Sequence, residues 1–91
     1  MFQDLFTIIE ARKQNPPPGS YTASLFSAGE RKICKKIVEE TVEVVQAVGG
    51  EGDQRVIEET ADLIYHLFVL LAWRGIPLTE VEAELHRRQR D

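Results

Sequence analysis

The sequence is poor in the features that mark several common protein classes. A single cysteine, Cys34, excludes an intrachain disulfide and gives no sign of an oxidising compartment. Its position inside a helical pattern predicts a packing residue rather than a nucleophile. There is no block of lysine and arginine, and the net charge is −4, so nucleic acid is not an expected partner. The longest apolar stretch, Leu63 to Trp73, is far short of the ~20 residues that a membrane span needs. No membrane partner is expected either. The N-terminus carries Asp4 and lacks the basic start of a signal peptide. A cytoplasmic location follows as the expectation. No segment alternates with strand period, no fixed-length repeat is visible, and the only biased tract is Pro16-Pro17-Pro18.

What is present is an ordinary soluble balance, with 43% hydrophobic and 29% charged residues in a chain of 91. Residues 1–91 are expected to form one domain. A domain of this size buries only roughly 60–65% of the surface its unfolded chain exposes, so self-association is a natural remedy. Helical periodicity runs from Phe2 to Asn15, with Arg12 and Lys13 at the C-terminal pole, where the macrodipole favours cations. The three prolines stop it. Ser20 is placed to cap a short turn from Tyr21 to Phe26, and Gly29 to end it. Two long helices follow, Glu30 to Val48 and Asp53 to Arg74, the second with Asp53 as N-cap and Gly75 as stop. Thr79 and Glu82 make a capping-box pattern opening a last helix toward Arg90. The short connection at Gly49–Gly52 predicts an antiparallel pair. The fold class is therefore an all-α antiparallel bundle of four to five helices.

Acid placement is the informative feature. The first long helix carries Glu39, Glu40 and Glu43, and the second carries Glu59 and Asp62. Acids three apart share a helix face. At ~100° per residue, the apolar stripe of the first helix is Ile33, Ile37, Val44 and Val48, with Glu40 beside it. The stripe of the second includes Val56, Leu63, Leu67 and Leu70, with Glu59 at its edge. If the stripes pack together, Glu40, Glu43, Glu59 and Asp62 converge at the border of the interface. At an effective dielectric of ~20, like charges 4 Å apart cost about 4 kcal/mol per pair, so a cation is needed. Mg²⁺ suits oxygen ligands and a polyphosphate substrate. Zinc does not, since the cluster offers no thiol and at most one imidazole. The bland alternative is a solvated acidic face, which helices carry very often.

The pattern Glu39-Glu40-x-x-Glu43 followed by Glu59-x-x-Asp62 resembles the signature of MazG-like all-α nucleoside-triphosphate pyrophosphatases. Four stretches narrow the resemblance to the phosphoribosyl-ATP pyrophosphohydrolase family. They are Ile9 through Arg12-Lys13, Ser20-Tyr21-Thr22-Ala23-Ser24-Leu25 with Gly29, Lys36 through Glu43, and Ala61-Asp62-Leu63-Ile64-Tyr65-His66-Leu67 continuing to Arg74-Gly75. Val38 departs from the pattern, standing where a small residue is expected. The resemblance implies a homodimeric bundle that hydrolyses phosphoribosyl-ATP to phosphoribosyl-AMP and pyrophosphate in histidine biosynthesis. It implies Glu40, Glu43, Glu59 and Asp62 as metal ligands, with Glu39 holding a second ion or orienting the attacking water. Rival readings are a house-cleaning pyrophosphatase acting on dUTP or damaged triphosphates, and a non-catalytic helical dimerisation module.

Several residues carry two expectations. Lys36 either holds the pyrophosphate leaving group or pairs with Glu40 one turn on. Arg12 and Lys13 either bind phosphate or stand as helix-pole charges. Ser20 is a cap or a ligand. Tyr21 and Thr22 are substrate contacts through the resemblance alone. His66, one turn after Asp62, is either a donor to that carboxylate or a polar spot in the core.

Overall fold

A computed structural model describes residues 1–89. Five α-helices and no strand occur among them: α1 (Phe2–Gln14), α2 (Tyr21–Ala28), α3 (Glu30–Val48), α4 (Asp53–Arg74) and α5 (Leu78–Arg87). The all-helical expectation holds, and the bounds of α3 and α4 match those read from the sequence. Arg90, toward which the last helix was expected to run, lies outside the described residues. No single described helix is long and apolar enough to cross a membrane.

The helix ends follow local chemistry, with two corrections. Ser20 caps α2, its hydroxyl accepting from the Ala23 amide at 3.1 Å. Gly75 ends α4 in the left-handed conformation, at φ 70°. Its amide bonds to Ala72 and that of Ile76 to Leu71, the paired closure that left-handed glycine permits. Asp53, expected as the N-cap of α4, is instead its first helical residue, with Gly52 at the cap. The carboxylate then meets the positive pole from within the first turn. The Thr79–Glu82 box is not made, because the cap falls two residues earlier, at Pro77, and α5 starts at Leu78. Pro77 fixes its own φ, and Leu78 is anchored by burial.

The α3–α4 pair is the spine. Glu30 at the start of α3 accepts from Trp73 Nε1 at 3.1 Å and from Arg74 at 3.3 Å at the end of α4. Nearer the Gly49–Gly52 link, Glu40 and Glu43 meet Glu59. The two helices are thus antiparallel. Phe6 and Ile9 of α1, Leu25 of α2, Ile33 of α3, Phe68, Val69 and Ala72 of α4 and Leu78 of α5 form one core. Phe2 and Phe6 meet Phe68 edge-on, with centroids 5.7 and 5.8 Å away. Each fully buried side chain of this kind contributes roughly 1.5–3 kcal/mol. Lys13 locks α1 to the end of α4, its ammonium donating to the carbonyls of Ala72 (2.8 Å) and Trp73 (3.2 Å).

The buried seam differs from the predicted stripes in a way that bears on function. On α3 it runs Ile33, Ile37, Glu40, Val44 and Ala47, while Val48 is exposed. On α4 it includes Val56, Glu59, Leu63, His66 and Val69, while Leu67 is 40% exposed. Alternate steps of three and four keep one face inward, and they pass through the acids. Glu40 and Glu59 therefore sit within the seam, where a border position was expected. Small Ala47 takes the inward place that Val48 was given. Cys34, expected to pack, is exposed, because it lies one helical step beyond Ile33 on the outer side of α3.

Candidate functional site

Halfway along the α3–α4 seam the apolar contacts give way to carboxylates. Glu40, Glu43 and Glu59 bring ligand oxygens within 4.8 Å of one another. Glu40 and Glu59 are only 6% and 4% exposed, whereas Glu43 and Asp62 stand at the open side. Asp62 is outside that trio, although its charge acts on Glu59. The Oε2 atoms of both Glu40 and Glu59 are buried without a hydrogen-bond partner. Orphaned carboxylate oxygens in a seam are costly. They are also what a hard cation needs: oxygen donors from two rigid helices, with open coordination on one side. The donor set therefore fits a magnesium-like ion and, with no sulfur or imidazole in it, does not suit zinc.

The electrostatics show how the protein tolerates this cluster. The nearby Glu43 carboxyl holds the Glu59 carboxyl above its ordinary pKa, and burial adds to this, against the lowering pull of Arg55. Arg55, on the first turn of α4, clamps Glu59 and Glu58 and reaches Glu51 at 3.6 Å. On the α3 side the half-buried Lys36 lies 3.3 Å from Glu39 and 3.5 Å from Glu40. Burial works against its charge, but the bond to Glu39 and the attraction of nearby acids raise its pKa. The ion-pair reading of Lys36 is thus realised, and its ammonium still lies at the mouth of the cluster.

The second wall is α2. Tyr21 leans on His66 of α4, the hydroxyl 3.0 Å from Nε2, and Thr22 bonds to the Tyr65 hydroxyl. The ring of Tyr21 stacks near that of Tyr65, and His66 meets both edge-on. Burial raises the Tyr21 pKa, while Lys36 lowers it and Glu40 and Glu39 raise it. The phenol therefore stands beside the acidic centre. His66 does not reach the Asp62 carboxylate as one expectation had it. Its Nδ1 lies 2.7 Å from the Asp62 backbone carbonyl, which is where a histidine four residues on meets the helix backbone.

The model of the phosphoribosyl-ATP pyrophosphohydrolase family matches residues 2–89. The chain belongs to this family. It is 52% identical over 90 residues to a phosphoribosyl-ATP pyrophosphatase of Metallosphaera sedula, covering 99% of this chain and 97% of the relative. To the proteins of that name in Pelotomaculum thermopropionicum and Listeria welshimeri it is 49% and 48% identical over 89 residues. Those matches cover 98% of this chain and 91% and 85% of the relatives.

Within this pyrophosphohydrolase chain, sequence reasoning missed two residues, Arg55 and Tyr65, and one contact. Arg55 was not singled out, though its place one turn before Glu59 was a signal for pairing. Tyr65 and its bond to Thr22 gave no signal, because two helices distant in sequence must pack before those hydroxyls meet. The Tyr21–His66 contact was hidden for the same reason. A depression of about 640 Å³ between the proline turn and the outer side of α2 is lined by Pro16, Pro17, Gly19, Ser20, Tyr21, Ala23, Ser24 and Ser27. None of these is a carboxylate or a cation, so the depression is not the ion-binding centre.

Proposed function

We propose that the protein hydrolyses the α–β phosphoanhydride bond of phosphoribosyl-ATP, giving phosphoribosyl-AMP and pyrophosphate, as the second step of histidine biosynthesis. The observation that carries this reading is the meeting of Glu40, Glu43 and Glu59 within 4.8 Å, two of them with orphaned buried oxygens, on a chain matched by the family from residue 2 to residue 89. The cofactor is Mg²⁺, which Glu40, Glu43, Glu59 and Asp62 would hold. When bound, magnesium supplies positive charge against the polyphosphate and makes water a better nucleophile.

The chain's own groups do the rest. Glu39, at the rim and paired with Lys36, orients the attacking water. That water adds to the α-phosphorus and the bridging oxygen leaves with pyrophosphate. Lys36 presents its ammonium to the departing negative charge. No protein nucleophile is required. Ser20, Tyr21 and Thr22 form the substrate-facing start of α2, with Ser20 also serving as the cap. Arg12 and Lys13 complete the cationic set, Lys13 exchanging the α4 carbonyls it holds for a phosphate oxygen.

The working form is a cytoplasmic homodimer of single-domain chains, with neither nucleic acid nor membrane as partner. In support of the dimer, α3 turns Val38, Val42, Val45 and Val48 outward at 64%, 48%, 66% and 69% exposure. The steps of four, three and three align these valines in one apolar stripe. Val38, unusual at its position, is part of it. The deciding experiment is pyrophosphate release from phosphoribosyl-ATP beside dUTP and a panel of deoxynucleoside triphosphates. Phosphoribosyl-ATP should be strongly preferred, and restoration of growth without histidine in a strain lacking this step should follow. Preference for dUTP would favour the house-cleaning rival, and no turnover of any nucleotide would favour the non-catalytic one.

A further inference from the structure

His66 is a buried imidazole, 4% exposed, with both ring nitrogens engaged. Nδ1 lies 2.7 Å from the Asp62 carbonyl oxygen, and Nε2 lies 3.0 Å from the Tyr21 hydroxyl. A carbonyl can only accept, so Nδ1 carries the hydrogen. In neutral imidazole the other nitrogen is then a bare acceptor, and the Tyr21 hydroxyl must donate to it. A phenol has one hydrogen. Tyr21 is left with oxygen lone pairs alone to offer a ligand, and the residue is 51% exposed, with the charges of Lys36, Glu40 and Glu39 acting on its phenol. Lys36 makes its close contacts with Glu39 and Glu40 rather than with that oxygen.

Phosphate oxygens are themselves acceptors and gain nothing from such a group. Sugar hydroxyls and amino groups are donors and do. We propose that His66 is a positioning residue that fixes Tyr21 as a hydrogen-bond acceptor, and that Tyr21 reads a hydroxyl or amino donor on the nucleoside part of the substrate. The polarity of the contact, set by a backbone carbonyl two groups away, is what separates this part of the site from the cationic part that meets the phosphates. The inference rests on the nucleotide-hydrolase reading above.

The test is steady-state kinetics at one fixed pH, with magnesium pyrophosphate as a competing probe of the phosphate half. Tyr21→Phe should raise KM for phosphoribosyl-ATP about 10-fold while leaving kcat within about threefold, the pattern of a binding contact made equally in ground and transition states. Inhibition by pyrophosphate should not change. His66→Leu should reproduce the KM effect, and His66→Gln, whose side-chain oxygen can accept, should restore most of it. In the Tyr21→Phe background, His66→Leu should add nothing to KM, which a purely structural loss would not mimic. Parallel weakening of pyrophosphate inhibition by Tyr21→Phe would overturn the proposal, as would an unchanged KM. If His66→Leu fails to fold by circular dichroism, the Tyr21→Phe comparison still decides. Failure of wild-type turnover refutes the underlying reading; a wild type that is active and indifferent to Tyr21→Phe refutes this inference alone.

Discussion

Glu40 of α3 and Glu59 of α4 face one another across the seam, ligand oxygens within 4.8 Å, each keeping one buried oxygen without a protein partner. Such a pair opposes folding, and Lys36 beside Glu40 and Arg55 beside Glu59 offset this only in part. Glu40→Gln should therefore separate activity from stability. Turnover should fall by at least about 100-fold, the loss expected when a metal site is disrupted. In chelator the thermal midpoint should rise by a few degrees, since about 1 kcal/mol moves a domain of this size by roughly 4–8 °C. Rate assays and melting curves on the same preparation check both halves.

Magnesium should stabilise the wild-type protein. At about 100 times its dissociation constant a bound ion adds ~2.7 kcal/mol, a rise on the order of 10 °C. Glu59→Gln should abolish most of that rise. Differential scanning fluorimetry across a magnesium titration reads the outcome directly, with potassium at matched ionic strength as control.

The pKa of Glu59 gives a pH prediction with a definite sign. Its folded-state value lies above the ordinary carboxylate value, chiefly because the Glu43 carboxyl stands close by. Between those two values the folded chain holds a proton that the unfolded chain has lost, so stability falls as pH rises. The contribution is fully present below the ordinary value and is lost as pH passes the folded one. In chelator, the melting point of wild type relative to Glu59→Gln should drop as pH rises from below the ordinary carboxylate range through the raised folded-state value. A constant difference would contradict the shift.

Lys13 separates two roles in one measurement. Removing its ammonium with Lys13→Met leaves the Ala72 and Trp73 carbonyls without that donor and should cost about 1–2 kcal/mol of stability. A rise in KM beyond this loss reports the phosphate contact. An unchanged KM assigns Lys13 to the end of α4 alone.

The dimer is tested at the valine stripe. Val45→Lys places a charge amid Val38, Val42 and Val48 and should convert a dimer into a monomer of unchanged helicity. Sedimentation equilibrium and circular dichroism together check it.

Much of the fold was legible because its signals are local. The prolines after Asn15, Gly49-Gly50 and Gly75 mark breaks that no packing can override, and the bounds of α3 and α4 follow from them. The meeting of Glu40, Glu43 and Glu59 was legible because a repeat on two neighbouring helices is rarer than one motif, whereas Asp62, read as a fourth member, falls outside the trio. Their depth was not, since a wheel drawn at constant angle cannot tell whether Ala47 or Val48 turns inward. That choice depends on how closely α3 approaches α4. Likewise His66 read as a carboxylate partner because spacing along one helix was visible, while Tyr21, which actually takes its free nitrogen, arrives from α2.

The four-residue link between α3 and α4 has a kinetic consequence. Closing so short a loop is fast, so Glu43 and Glu59 are thrown together early, before α1 and α5 have docked. Repulsion at the centre of the hairpin then works against the contact that the link favours. On the magnesium reading proposed above, a divalent ion held there would relieve that repulsion, and the rate at which new chains mature should then track the supply of the free ion.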